Sequence, residues 1–68
     1  MVVVDQKVRF NAFEFVRSDM DTQSIIVTGT VYSVNYAHRV FHVVYYIDGI
    51  AQRTSFNFCD IGKSVRVV

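Results

Sequence analysis

The chain has 68 residues, seven Lys or Arg against six Asp or Glu, a formal net charge of +1 and a single cysteine. That length makes one domain, 1–68, and so balanced a charge predicts no general attraction to nucleic acid or anionic lipid. Lone Cys59 rules out an internal disulfide, and no run approaches the roughly 18 apolar residues that span a bilayer.

Hydrophobic residues make up 51% and aromatic residues 15% of the chain, a high apolar share for so short a sequence. A domain of this size buries only about 60% of its unfolded surface, so its core is small. Small folds supplement such a core with disulfides, metals or association. With one cysteine and no Cys/His cluster, association with another protein or with a second copy is the remaining device.

The opening residues, Met1-Val2-Val3-Val4-Asp5, carry no basic segment and only a very short apolar run. They predict no signal peptide, and with one unpaired cysteine they point to a cytoplasmic chain. Lys7 to Val16 reads as the first strand, with Val8 and Phe10 at one parity and Phe13 and Phe15 at the other. A β-bulge between Asn11 and Ala12 would return those aromatics to one side. Phe10, Phe13 and Glu14 also fit helical spacing, so a short helix over 10–17 competes with the strand. Arg17 to Gln23 reads as a polar loop.

Ser24 to Asn35 is the longest strand candidate, rich in β-branched residues, with Gly29 at its middle. A glycine inside a strand marks a bend or a close backbone approach. Tyr36-Ala37-His38-Arg39 forms the next connection. Val40 to Ile47 and Ile50 to Phe58 then flank Asp48-Gly49, a pair suited to a type I′ turn because both central positions take positive φ. That turn fixes a register in which partners sum to 97. Ile47, Tyr45, Val43 and Phe41 face Ile50, Gln52, Thr54 and Phe56 on a core side. Tyr46, Val44, His42 and Val40 face Ala51, Arg53, Ser55 and Asn57 on the other. Cys59 to Gly62 reads as one turn of 3-10 helix, and Lys63 to Val68 as a final strand with Val65 and Val67 inward.

This order of strand, long loop, three-strand meander, tight turn and short last strand resembles the SH3-like small β-barrel. The resemblance covers nearly the whole chain and rests on element order and length. Peptide-binding SH3 domains carry an acidic stretch in the first long loop and a tryptophan opening the third strand. Here the loop has only Asp19 and Asp21, and the chain has no Trp, so recognition of proline-rich peptides is not expected. An OB-like barrel also has five strands, but it needs a helix before its fourth, and none is predicted.

Chemistry-bearing groups are few. His38 and His42 lie four apart, which aligns them on a helix but separates them by about 13 Å on a strand. Asp19-Met20-Asp21 opens like a calcium loop yet lacks the glycine and the terminal glutamate such a loop requires. Cys59 has no adjacent histidine and follows Phe58, an apolar setting for an inert thiol. The six carboxylates show no paired spacing. The sequence therefore predicts no catalytic residue, cofactor, metal site or small-molecule substrate.

What remains is a binding module, acting through Tyr36, Arg39, Val40, His42, Val44, Tyr46 and Arg53. Val40, Val44, Tyr46 and Ala51 form an apolar strip rimmed by polar groups, the signature of a protein contact. Protein–protein interaction or self-assembly through this outer face is the leading expectation. The same face interleaves cations with aromatics, as single-stranded nucleic acid requires, and that is the alternative. A third possibility is that the N-terminal segment covers the strip. The expected core is Phe10, Phe13, Phe15, Val27, Val31, Phe41, Val43, Tyr45, Ile47, Phe56, Phe58, Val65 and Val67, and the expected fold is all-β, a five-stranded small barrel.

Overall fold

A computed structural model describes residues 2–16 and 21–68, with backbone alone for 13–16 and 21–23. The chain is all-β: β1 (Lys7–Val16), β2 (Asp21–Asn35), β3 (Val40–Ile47), β4 (Ile50–Asn57) and β5 (Val65–Val67), with a 3-10 turn at Phe58–Asp60 before the last strand. All pairings are antiparallel, and the strands lie in the order β4-β3-β2-β1-β5.

The hairpin forms in the register set by Asp48-Gly49. Asp48 has φ 52° and Gly49 φ 78°, and the pairs run unbroken from Ile47↔Ile50 to Val40↔Asn57. Two positive φ values give the turn the twist of its flanking strands, so the ladder needs no adjustment. Its core side holds Phe41 and Val43 fully buried, with Tyr45 and Phe56 packed against them. Ile50 departs from the expected pattern. It lies beyond the reach of the other strands, and 64% of it is exposed.

β1 holds no bulge where one was expected. Its ladder with β2 runs continuously from Lys7↔Thr30 to Val16↔Asp21, and no helix interrupts 10–16. The extra residue lies instead in β2, where Val31 pairs with Val43 but Ser33 pairs with His42. β2 also starts earlier than predicted, so Asp21, Thr22 and Gln23 belong to a strand and not to a loop. The rest of that predicted loop, with the Asp19-Met20 part of the calcium-like sequence, lies outside the described residues. So do the side chains of Phe13 and Phe15.

The core is built from Val2, Val8, Phe10, Ala12, Val31, Phe41, Val43 and Val65. Each large apolar side chain wholly removed from water stabilises the fold by about 1.5–3 kcal/mol. Val2 enters from the N-terminal segment, which is held by Asp5 N–H donating to the Val31 carbonyl (2.8 Å) and Val31 N–H donating to the Gln6 carbonyl (2.9 Å). That segment therefore fills the core end and does not cover the outer strip.

Gly29 lets the sheet coil. A Cβ there would overlap Val43 Cγ1 and would stand 3.0 Å from the Val44 carbonyl oxygen and 3.2 Å from Phe10 Cε1. Without it, Phe10 of β1 reaches across β2 to meet Tyr45 of β3 edge-to-face at 5.1 Å and Phe56 of β4 at 5.0 Å. The sheet curls but does not close by hydrogen bonds, because β4 and β5 remain its two outer strands.

The end of the chain is shorter in regular structure than predicted. The 3-10 turn begins at Phe58 and β5 covers only Val65–Val67. Val65 is fully buried, but Val67, expected inward, is 44% exposed because it pairs only with Val8 at the rim.

Candidate functional site

Alternation along the strands sorts the outer face. β3 presents Val40, His42, Val44 and Tyr46, and β4 presents Ala51, Arg53, Ser55 and Asn57 in register with them. Tyr46 is 65% exposed, while Val40, His42 and Val44 are half-buried by their neighbours. His42 Nδ1 and Ser55 Oγ are hydrogen-bonded at 2.7 Å.

Tyr32 of β2 also lies on this face, a residue that sequence reading missed. Tyr32 follows buried Val31 and so points outward, and the bulge sets Ser33 beside it opposite His42. Tyr32 lies 6.1 Å from the His42 ring, and the Arg53 guanidinium stands over it at 5.7 Å. A cation held on an aromatic face at this range gains about 0.5–1 kcal/mol when exposed, which biases Arg53 toward one orientation. Strict alternation from buried Val31 already turns Tyr32 outward, whereas Ser33 reaches this side only through the bulge.

Two predicted members are separated from this group. The Tyr36 hydroxyl donates to the Val2 carbonyl at 2.8 Å, and its ring packs edge-on against Phe58 at 5.9 Å. It holds the N-terminal segment on the core instead of projecting with His42. Arg39 closes the β2–β3 turn with φ 57°, its carbonyl accepting from Phe58 N–H at 2.9 Å. It lines a small hollow with His38, Asn57, Phe58 and Cys59. His38 lies in the turn, its N–H donating to Asn35 Oδ1 at 3.1 Å, so it shares no strand face with His42.

Charge on the outer face is segregated. Lys7 and Arg9 of β1, Arg53 of β4 and Arg66 of β5 all occupy outward positions. Asp5, Asp48 and Asp60, the carboxylates whose side chains are described, sit in turns and in the 3-10 turn. No carboxylate occupies an outward strand position among the described side chains. Lys7 Nζ donates to Thr30 Oγ1 at 2.6 Å, which anchors that charge above β2.

Among the described residues no group of three or more His, Cys, Asp or Glu is placed to hold a metal ion, and no helix is long and apolar enough to cross a membrane. Comparison with protein-family models, curated proteins and solved structures finds no match.

Proposed function

We propose that this chain is a non-catalytic binding module whose outer sheet face binds single-stranded nucleic acid. The reading rests on one observation: four cations hold outward positions on the sheet that carries Tyr32, His42 and Tyr46, and no carboxylate does so among the described side chains. Single strands need cations for phosphates and open aromatic faces for bases, without base-specific hydrogen bonding. Arg53 over Tyr32 supplies both at one point. Exposed Tyr46 offers a second ring along the same strand pair. Element order, with β5 beside β1 and a 3-10 turn before it, supports an SH3-like small barrel as the carrier. A cytoplasmic location suits this partner.

The test is fluorescence anisotropy with labelled single-stranded oligonucleotides. Phosphate contacts strengthen as salt falls, so binding is expected at about 20 mM salt and weakens steeply toward about 150 mM. Absence of binding even at the lower salt would end this reading.

A second reading, protein contact or self-assembly through the same hairpin, is favoured by the outer edge of β4. This eight-residue strand pairs only with β3 and contains no proline, lysine or bulge. The turn makes Ile47 and Ile50 a hydrogen-bonded pair, so alternation directs the backbone groups of Ala51, Arg53 and Ser55 away from β3. Such an edge is a template for another strand. Sedimentation of wild type and Ala51→Pro tests it, because proline there removes an outward N–H and no rung to β3. Salt-insensitive dimers lost in the variant would support self-assembly. A monomer at every concentration would count against it.

A further inference from the structure

At the opposite border of the same sheet lies a cleft of about 330 Å³, lined by Arg9, Asn11, Ile26, Lys63, Ser64 and Arg66 with Phe10 beneath. We infer that this cleft is a binding site for a phosphoryl group. It shares Arg9 and Arg66 with the face proposed for oligonucleotides but not Tyr32 or Arg53, so pyrophosphate binding is the readout that separates the two.

The decisive relationship is Arg9↔Arg66. The two are direct cross-strand partners on β1 and β5, and both are exposed. Like charges directly opposite one another destabilise a strand pair. Here β5 has only three residues and three rungs, so the repulsion falls on the least secured strand of the sheet. Lys63 adds a third cation from the turn that Gly62, at φ 86°, makes possible. No carboxylate stands among the described residues of the lining. Asp60, the carboxylate nearest in sequence, directs its Oδ2 to Asn57 N–H at 2.9 Å, while its carbonyl accepts from Lys63 N–H at 3.0 Å.

An anion resolves this arrangement. Two guanidinium groups offer planar, paired N–H donors that match phosphate oxygens, and Lys63 adds a compact point charge. Asn11 and Ser64 contribute neutral donors from the lining, and Ile26, 71% exposed, gives an apolar rim for the organic part of a phosphoester. A phosphoryl dianion bridging Arg9 and Arg66 converts an unfavourable rung into a clamp that fastens β5 to β1. Free pyrophosphate is multiply charged in this way, and the singly charged phosphodiesters of a nucleic acid offer the same acceptor oxygens.

The experiment follows thermal unfolding of the intact chain with added pyrophosphate, against sodium chloride matched for ionic strength. A ligand that binds only the folded state raises the melting temperature with its concentration. The wild type should show a saturable rise beyond the chloride control. Arg66→Gln should melt no lower than wild type without ligand, because the opposed pair is gone, and should bind pyrophosphate about tenfold or more weakly. Arg53→Gln removes the same charge from the far side of the face and should keep the full pyrophosphate response. Equal responses in wild type and Arg66→Gln, or a wild-type response no larger than chloride gives, would overturn the inference. An eight-nucleotide single strand in a parallel arm separates the sources. Pyrophosphate binding without oligonucleotide binding leaves the cleft standing and removes the nucleic-acid reading. Oligonucleotide binding that Arg53→Gln weakens, with no pyrophosphate response, does the reverse.

Discussion

Phe10 of β1 and Phe56 of β4 meet ring to ring at 5.0 Å, although β2 and β3 lie between their strands in the sheet. Three strand spacings of about 4.8 Å would hold them roughly 14 Å apart in a flat sheet. The contact therefore measures how far the sheet coils. It also explains how one layer of strands, with no helix packed on it, encloses a core.

A double-mutant cycle on Phe10→Leu and Phe56→Leu reads this coiling in solution. Edge-to-face aromatic pairs contribute about 0.5–1.5 kcal/mol beyond area burial. Denaturant unfolding of the two single variants and the double variant should return a coupling in that range. Strictly additive losses would mean the two rings do not touch.

Gly29→Ala should be costly for a steric reason, not a conformational one. The added methyl overlaps Val43 Cγ1 and crowds the Val44 carbonyl and Phe10. Overpacking of this kind costs about 1–3 kcal/mol. Made on a Val43→Ala background, the same change should cost less, since one of its three obstacles has gone. Unfolding midpoints of the four proteins check this, and an equal cost on both backgrounds would contradict it.

Tyr36→Phe should loosen the N-terminal segment and leave the sheet alone. It deletes the hydroxyl that donates to the Val2 carbonyl but keeps the ring against Phe58. A hydrogen bond of this type contributes about 1 kcal/mol. Amide exchange should accelerate at Asp5, whose N–H donates to Val31, while Val43 in the central hairpin keeps its protection. Uniform acceleration at both positions would show a global loss instead.

The parts of this fold legible in the sequence are those decided by local chemistry. Asp48-Gly49 dictates positive φ twice, and every hairpin pair follows from that turn. Gly29 was legible as a close approach because a missing side chain has only a few uses inside a strand. The bulge was legible in kind but not in place. The parity change in β1 points to an extra residue there, whereas the extra residue sits between Val31 and Ser33 of β2, where no glycine or proline marks it. The bulge turns Ser33 outward beside Tyr32, the residue over which the Arg53 guanidinium stands. Tyr36 stands apart from that group because its hydroxyl's partner, Val2, is 34 residues away, a contact that only tertiary packing decides. Arg9 and Arg66 were invisible as a pair for the same reason.

The most direct test of the nucleic-acid account is the salt dependence of single-strand affinity for wild type, Arg53→Gln and Tyr32→Ala. With Lys7, Arg9, Arg53 and Arg66 each meeting a phosphate, the logarithm of the association constant should fall against the logarithm of salt with a slope of about −3. Arg53→Gln should make that slope shallower by about 0.7. Tyr32→Ala should keep the slope but weaken binding at each salt by about 5- to 150-fold, the worth of one stacked base. A slope near zero, or three proteins with identical curves, would contradict the account.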